Sequence, residues 1–181
     1  MEVFEAPALV YFEKYNDERG WFTELFNENR LNEKLGTDIH FIQSNMSFTH
    51  KGVARGLHWQ EPPYAQTKLV TCVDGYITDF IVDIRPDSPD YGRVYEYDLA
   101  NPSFSAGGLW LYVPKGFAHG FVAREPSVVQ YMVDAPWNKK SERGLNFKKT
   151  VSNYLFDDVH LSKRDEDFPT IENIETALRV G

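Results

Sequence analysis

The segment Arg55-Gly56-Leu57-His58 contains one side chain that can perform acid–base chemistry and one that can bind an anion. The imidazole of His58 can accept or donate a proton near neutral pH. The guanidinium of Arg55 can bind an oxyanion through two parallel hydrogen bonds. Because side chains alternate along a strand, residues three apart share a face only where the strand bulges or twists, and Gly56 permits this. On this segment alone, His58 fits a hydrogen-bonded core histidine equally well.

A second imidazole, that of His119, completes the spacing Pro-x-Gly-x-x-His within residues 114–121. This spacing is similar to the second metal-binding motif of cupins, which are jelly-roll proteins. A cupin metal site also needs two histidines separated by one residue, and a glutamate, on an earlier strand. The chain offers only His58-Trp59-Gln60 there. The sequence therefore predicts a cupin-like barrel with no metal ion, and it disfavours a metal-dependent dioxygenase.

The elements that must position these residues are short strands separated by frequent turns. The turn dipeptide Asp74-Gly75 predicts a hairpin between two β-rich runs. Residues 27–35 are predicted as a helix that Gly36 ends, and residues 171–180 have helical spacing. Strands are predicted over 9–15, 39–47, 52–58, 68–73, 76–84, 93–99, 109–113, 120–123 and 128–133. We therefore predict an all-β fold, a cupin-like jelly-roll barrel or sandwich with short peripheral helices.

Length and composition predict one ordinary globular domain over residues 1–181. The formal net charge of -8 argues against a nucleic-acid-binding surface, which needs clustered positive charge. Cys72 is the single cysteine, so no internal disulfide can form and a reducing compartment is expected. In its apolar run Cys72 fits a buried, inert thiol. Without a signal peptide or a membrane-spanning run in the sequence, we expect a cytoplasmic protein.

Several separated motifs, taken in order, match one known family. They are DERGWFTE at 17–24, FIQSNMS at 41–47, RGLH at 55–58, QTKLV at 66–70, Gly75, VDIR at 82–85, PKGFAHGF at 114–121, Tyr131, ERG at 142–144 and LSKRD at 161–165. Through these motifs the chain resembles the dTDP-4-dehydrorhamnose 3,5-epimerases, the RmlC-type sugar epimerases. Each motif alone is weak, whereas the ordered set is highly specific.

The resemblance implies an isomerase that inverts carbons next to the ketone of a nucleotide-linked 4-keto-6-deoxy sugar. Such a reaction needs a base on one face of the sugar, an acid on the other and a positive group near the enolate oxygen. In the family pattern the base corresponds to His58, the carboxylate that orients it to Asp165, and the acid to Tyr131. Lys68 corresponds to a cation near the C4 carbonyl oxygen. No cofactor is expected, because the 4-keto group already acidifies the adjacent C–H bonds.

The resemblance also implies residues that bind the nucleotide sugar. Trp137 stands where many members have a tyrosine that stacks on the base, and an indole keeps that stacking. The other binding positions correspond to Arg19, Glu24, Gln43, Asn45, Arg55, His119, Glu142 and Lys163. The family further implies a homodimer in which N-terminal residues, including Arg19 and Glu24, reach into the partner's site.

Other interpretations of the same residues remain open on the sequence. Read without the family, Tyr131 fits a core tyrosine, and Asp165 fits a solvated charge cluster. The chain departs from the family pattern at 145–149 and 154–157, near the base-binding region, so the nucleotide base stays undetermined. An enzyme that inverts only C3 or only C5, or that acts on a related nucleotide sugar, would carry the same catalytic residues. A cupin-like binding protein without activity would need no acid and base on opposite faces.

Overall fold

The computed structural model describes residues 6–101, 107–154 and 159–173 of the chain. Within these ranges the chain forms short strands with a few short helices. The elements are β1 (Ala8–Asp17), β2 (Gly20–Thr23), α1 (Glu28–Leu35), β3 (Gln43–Thr49), β4 (Ala54–Gln60), β5 (Lys68–Asp74), β6 (Tyr76–Asp83), β7 (Val94–Ala100), β8 (Gly107–Val113), β9 (Phe117–Ala123), β10 (Ser127–Val133), β11 (Glu142–Gly144), α2 (Phe147–Thr150), a 3-10 turn (Ser152–Tyr154) and α3 (Lys163–Glu166).

The strands form two antiparallel sheets that pack face to face. The first sheet has the order β2-β1-β8-β5-β10-β3, and the second has the order β11-β4-β9-β6-β7. Strands that follow one another in the chain therefore often lie in different sheets, as in a jelly roll. The predicted all-β, cupin-like jelly roll with short peripheral helices is confirmed.

The two sheets enclose the main apolar core. Inward-facing residues of both sheets contribute to it, among them Ile81, Leu111, Phe117 and Val129. The outer face of the first sheet is covered by α1 through Leu31, and the outer face of the second sheet is covered by α2 and the segment around residue 159. Each such buried side chain contributes roughly 1.5–3 kcal/mol relative to exposure, so both layers outside the sandwich help to hold it closed.

Helix α1 begins and ends where the sequence predicts. The side chain of Asn27 accepts a hydrogen bond from the backbone N–H of Arg30 at 3.1 Å, which caps the first turn. Gly36 ends the helix in the left-handed conformation, with φ of 67°. Leu31 and Leu35 are buried against the first sheet, so the apolar stripe of the helix explains its position.

The Asp74-Gly75 turn does not form the predicted hairpin. Strand β5 pairs with β8 and β10, whereas β6 pairs with β7 and β9. The turn therefore carries the chain from one sheet to the other. A turn dipeptide specifies that the chain reverses, but the partners of the two strands are decided by the packing of both sheets.

Two other predictions differ from the structure or fall outside it. The strand predicted over 39–47 begins only at Gln43, because the preceding residues pack on α1 and Phe41 contacts Phe26 edge to face at 6.0 Å. The helix predicted over 171–180 lies mostly outside the described residues. The single domain over 1–181 stays a prediction. Among the helices described, none is both long and apolar enough to cross a membrane.

Strand β4 bulges at the position where Gly56 permits it. Its pairing with β9 shifts register between Arg55, which lies opposite Phe121, and His58, which lies opposite His119. Gly56 sits within this shift with φ of +110°, and a Cβ there would lie 2.6 Å from the Cα of Gly120. The close approach of two backbones at glycine is what allows the side chains at 55 and 58 to face the same interior space.

We expect Gly56→Ala to lower the free energy of unfolding by about 3 kcal/mol, since backbone strain and overpacking each cost roughly 1–3 kcal/mol. Gly20→Ala is the matched control, because Gly20 also has a positive φ (131°) but a Cβ there meets nothing within 4 Å. We expect that control to cost about 1 kcal/mol. Urea unfolding followed by tryptophan fluorescence measures both, and equal losses would contradict the packing explanation.

Candidate active site

A cavity of about 710 Å³ lies between the two sheets, beside the apolar core. This volume is typical of a site for a small organic molecule. Its apolar wall includes Val70, Phe121 and Val129. Its polar lining includes Arg55, His58, Gln60, Lys68, His119, Tyr131, Trp137, Glu142, Arg164 and Asp165. The cavity therefore combines an apolar wall with convergent ionisable groups from both sheets.

An imidazole and a carboxylate from distant parts of the chain form a pair in this cavity. His58 Nε2, on β4, lies 2.8 Å from Asp165 Oδ1, on α3. Helix α3 is capped by Ser162, whose hydroxyl accepts a hydrogen bond from the Asp165 backbone N–H at 3.2 Å. Because a carboxylate accepts, Nε2 carries the hydrogen, and Nδ1 is left to exchange a proton with a bound molecule.

Neighbouring charges also decide the protonation state of the Asp165 carboxyl in this pair. Asp165 is only 4% exposed, and burial by itself would raise the pKa of its carboxyl. The hydrogen bond from His58 and the nearby charges of His58 and Arg164 outweigh burial and hold that pKa below its ordinary value. Asp165 therefore stays ionised near neutral pH, where it can orient the imidazole and stabilise its protonated form.

Lys68 reaches the cavity from the opposite sheet. It lies on β5, is buried, and its Nζ donates a hydrogen bond to the carbonyl oxygen of His58 at 3.0 Å. Burial lowers the pKa of Lys68 to about 8, although the negative charges of Asp79 and Glu142 act in the opposite direction and raise it. Lys68 is thus a mostly protonated ammonium near neutral pH, next to the base and shielded from solvent.

Tyr131 stands on the same sheet as Lys68. It lies on β10, in register with Val70 of β5, and is half-buried. Burial raises the pKa of its hydroxyl, although the positive charge of Arg55 opposes this. Tyr131 therefore keeps its proton near neutral pH. An imidazole on one sheet and a phenol on the other thus line a single cavity, with an ammonium group beside the backbone of the imidazole residue.

A second histidine–carboxylate pair lies in the same wall as His58. His119 Nε2 is 2.9 Å from Asp79 Oδ1 and 3.0 Å from Oδ2. Asp79 is fully buried, and burial raises the pKa of its carboxyl against the opposing effects of His119 and Lys68. The sequence interpretation missed Asp79, although a carboxylate inside the apolar strand 76–83 was a usable signal.

Comparison with known proteins places the chain in a family. The model of the dTDP-4-dehydrorhamnose 3,5-epimerase family matches residues 4–173. A relative from Shigella flexneri, a dTDP-4-dehydrorhamnose 3,5-epimerase, is 39% identical over 168 residues, which cover 87% of this chain and 91% of the relative. The chain belongs to the dTDP-4-dehydrorhamnose 3,5-epimerase family. The resemblance inferred from the motifs is therefore confirmed.

Solved structures of other family members have the same fold. The dTDP-4-dehydrorhamnose 3,5-epimerase of Elizabethkingia anophelis superposes with a TM-score of 0.83 at 36% identity, covering 93% of each chain. The Legionella pneumophila RmlC, a dTDP-6-deoxy-D-glucose-3,5-epimerase solved with dTDP-4-keto-L-rhamnose, gives a TM-score of 0.84 at 32% identity. That match covers 95% of this chain and 91% of the Legionella chain.

The structure brings many of the residues predicted from the 3,5-epimerase family into the cavity. These are His58, Lys68, Tyr131 and Asp165 of the predicted catalytic set, and Arg55, His119, Trp137 and Glu142 of the predicted binding set. Trp137 lies in the loop after β10 with its side chain 57% exposed. Its indole thus contributes an exposed aromatic surface to the cavity lining.

The other predicted binding residues of this family member do not line the cavity. Arg19, in the turn between β1 and β2, pairs with Asp17 and is largely exposed. Glu24 pairs with Arg30 of α1 at 2.7 Å. Side chains on the edge strand β3 bond to each other instead, with Gln43 donating to Asn45 at 2.8 Å.

At α3 the structure places a different cation from the one that the motif indicated. Lys163 is exposed and does not line the cavity, whereas its neighbour Arg164 does. Arg164 lies 3.1 Å from Glu142 Oε2, 3.4 Å from Asp165 Oδ1 and 3.3 Å from His58 Nε2. The motif alone carried no signal to separate two adjacent cations, because the short helix decides which one turns inward.

The remaining sequence interpretations concern structural residues. Asp83 is fully buried, and its Oδ2 lies 2.6 Å from Nη2 of Arg85, so the two side chains form an ion pair. Cys72 is 1% exposed, and burial raises the pKa of its thiol to about 12. The prediction of a buried, inert thiol is confirmed.

If Lys68 acts as the ammonium, kcat/KM should fall above about pH 8, where Lys68 loses its proton. Asp79→Asn should move this fall to lower pH, because the Asp79 carboxylate raises the pKa of Lys68. Asp87→Asn, at an exposed position away from the cavity, is the control and should leave the profile unchanged. A pH–rate profile from 6 to 10 measures the three proteins. An Asp79→Asn profile with the same alkaline limb as the wild type would exclude this coupling.

Proposed function

We propose that the chain is a 3,5-epimerase that converts dTDP-4-dehydro-6-deoxy-D-glucose into dTDP-4-dehydro-L-rhamnose. The observation that carries the proposal is that His58 and Tyr131 line one cavity from opposing sheets, with the Lys68 ammonium 3.0 Å from the carbonyl oxygen of His58. Inversion of a carbon requires removal of a proton from one face of the ring and delivery to the other. A base and an acid on opposite walls match this requirement, whereas a protein that only binds sugars would need neither.

In the proposed reaction His58 removes the proton from the carbon next to the C4 ketone. The C–H bond breaks, the proton moves to Nδ1, and the electron pair passes into an enolate whose charge rests on the C4 oxygen. Lys68 stabilises that oxygen, and Asp165 stabilises the imidazolium that forms. Positioned donors in a site shielded from water act strongly, because they need little reorganisation during the reaction.

Tyr131 then protonates the same carbon from the opposite face, which inverts it and restores the ketone. The phenolate and the imidazolium exchange their protons with solvent before the next event, so acid and base are regenerated. Repetition at the second carbon completes the double inversion. The reaction moves protons only, and the ketone supplies the acidity of the C–H bonds, so we infer that no cofactor takes part.

The nucleotide end of the substrate is proposed to bind at the cavity mouth. Arg55 is held there by hydrogen bonds from its Nε to Thr49 Oγ1 at 2.9 Å and from its Nη2 to Phe48 O at 3.1 Å. A guanidinium held in this way suits a diphosphate. Trp137 would stack on the base. The proposed binding set also retains His119, Glu142, Gln43, Asn45 and Lys163.

We also propose a homodimer in which Arg19 and Glu24 complete the partner's cavity. Within one chain both residues lie outside the cavity, so they could contact its substrate only from a second copy. The strands β1 and β2 that flank Arg19 carry exposed aromatic rings, including Phe22 at 68% and Trp21 at 45% exposure. Aromatic surface of this kind is typical of protein interfaces. A single cysteine, which cannot form an internal disulfide, fits a reducing compartment, and we propose the cytoplasm.

The proposed function is tested by proton NMR of dTDP-4-dehydro-6-deoxy-D-glucose with the protein in deuterated water, with product trapped by a ketone reductase. We expect deuterium at both C3 and C5, because each inverted carbon takes its new proton from solvent. Exchange and inversion at one carbon would identify a single-carbon epimerase instead. No exchange, together with binding of the nucleotide, would indicate a binding protein and contradict the proposal.

His58→Ala should lower kcat by about 10²–10⁴-fold, since a general base contributes that much. The affinity for dTDP should change little, because His58 acts on the sugar. The same NMR assay gives the rate, and calorimetric titration gives the Kd. His50→Ala, on an exposed histidine after β3, is the control. A His58→Ala enzyme that keeps more than about a tenth of the wild-type rate would remove His58 from the role of base.

Arg19→Ala should raise KM by roughly tenfold or more, because a hydrogen bond to a charged group contributes about 1.5–3 kcal/mol. In a shared site, mixing Arg19→Ala with His58→Ala chains should restore activity, since random pairing leaves roughly a quarter of the sites intact. The measurement is the rate of the mixture after exchange of subunits. A mixture no more active than its components, or full activity of an isolated monomer, would contradict the shared site.

A further inference from the structure

A buried glutamine links the strand of the base to the loop at the cavity mouth. Gln60 is the last residue of β4, two positions after His58, and is only 5% exposed. Its Nε2 donates to the carbonyl oxygens of Tyr64 at 2.7 Å and Pro136 at 3.1 Å. Its Oε1 accepts from the backbone N–H of Asn138 at 2.5 Å. Both amide hydrogens and the amide oxygen are thus used on the backbones of two loops.

Two of these three bonds bracket one aromatic residue. Pro136 and Asn138 are the immediate neighbours of Trp137, and Gln60 contacts the backbone of each. Within the described ranges Trp137 itself makes no hydrogen bond, and its side chain is 57% exposed. Its loop also lies outside the strands of both sheets. The position of the indole therefore depends on how the backbone on either side of it is held.

Other contacts support the loop at its ends and at Asn138, whose carbonyl oxygen accepts from the N–H groups of Ser141 and Glu142 at 3.1 Å. Gln66 Nε2 donates to the carbonyl oxygen of Ala135 at 2.7 Å, and Thr67 N–H donates to Asp134 Oδ1 at 2.7 Å. At the far end, Glu61 N–H donates to the carbonyl oxygen of Ser141 at 2.9 Å. Among the described contacts, Gln60 alone holds the backbone on both sides of residue 137.

We propose that Gln60 is a positioning residue that fixes Trp137 at the cavity mouth. Because Gln60 and His58 lie on the same strand, Gln60 thereby sets the distance between Trp137 and His58. This inference rests on the proposed function, in which the reacting sugar lies at His58 and the nucleotide base stacks on Trp137. The two ends of the substrate are joined covalently, so the base and the ring must be received at a matching separation. A buried amide with every group bonded suits this role, because its loss leaves loop carbonyls and an N–H unpaired.

The test is a double-mutant cycle between Gln60→Met and Trp137→Ala, read by calorimetric titration with dTDP. Methionine approximates the volume of glutamine but removes all three hydrogen bonds. We expect Trp137→Ala to raise the Kd about tenfold, as stacking on a base typically contributes. Gln60→Met should raise it about fivefold alone and less than about twofold in the Trp137→Ala background. With saturating sugar substrate, kcat of Gln60→Met should stay within about threefold of the wild type, so that the loss falls on KM.

Gln130→Met is the matched control, because Gln130 is a glutamine on β10 that bonds to Ser44 away from the loop. It should change neither Kd nor kcat. Gln60→Glu is the second variant if Gln60→Met does not fold, since it removes both donors and keeps the acceptor. Thermal unfolding confirms that each variant is folded under the assay conditions.

Each outcome bears on the proposal. An unchanged Kd for dTDP in Gln60→Met or Gln60→Glu would overturn it. An equally large loss of affinity in the wild-type and Trp137→Ala backgrounds would also overturn it, because Gln60 would then act on the fold and not on the indole. A loss in kcat with an unchanged KM would overturn it as well. If the wild type neither binds dTDP nor exchanges deuterium, the proposed function fails first, and this failure is distinguishable because Trp137→Ala would then have no effect either.

Discussion

The fold buries three charged side chains beside the cavity between its two sheets. Lys68, Asp79 and Asp165 are each less than a tenth exposed, and an unpaired charge at such depth costs several kcal/mol. Each is compensated by a specific partner: the carbonyl oxygen of His58 for Lys68, His119 for Asp79, and His58 for Asp165. The same burial that requires these partners also shifts the pKa values of the three groups.

This network also determines how the chain must close. His58 and Asp165 are separated by 107 positions, so their contact forms only after the jelly roll has brought the C-terminal segment back to β4. That segment is attached beside β4 by a parallel bridge between Val53 and His160, with backbone hydrogen bonds of 2.8 Å on either side. The site therefore combines a central strand of the fold with a segment more than a hundred positions later in the sequence.

The sequence predicts those features of the fold and site that depend on near neighbours. The helix over 27–35 and its stop at Gly36 follow from local patterns, and the bulge in β4 uses a conformation that Gly56 permits. The family motifs identify the residues that meet in the cavity, but no spacing in the sequence could show that Asp165 lies against His58. Contacts of that kind are set by the packing of both sheets.

The predictions that were wrong or incomplete concern positions where the local sequence fits two structural arrangements equally well. The reversal at Asp74-Gly75 was correct, whereas the pairing of its two strands depended on the other sheet. Likewise, the direction of one short helix selects Arg164 over its neighbour. Asp79 was missed because its partner, His119, stands forty positions away on another strand.

The thiol of Cys72 has a use that follows from where it lies. It sits in the core between the sheets, and burial raises its pKa to about 12, so almost no thiolate exists at neutral pH. Alkylating reagents can modify it only when the structure opens around it. Because Cys72 is the single cysteine of the chain, its rate of alkylation in the native protein measures how often the structure around it opens.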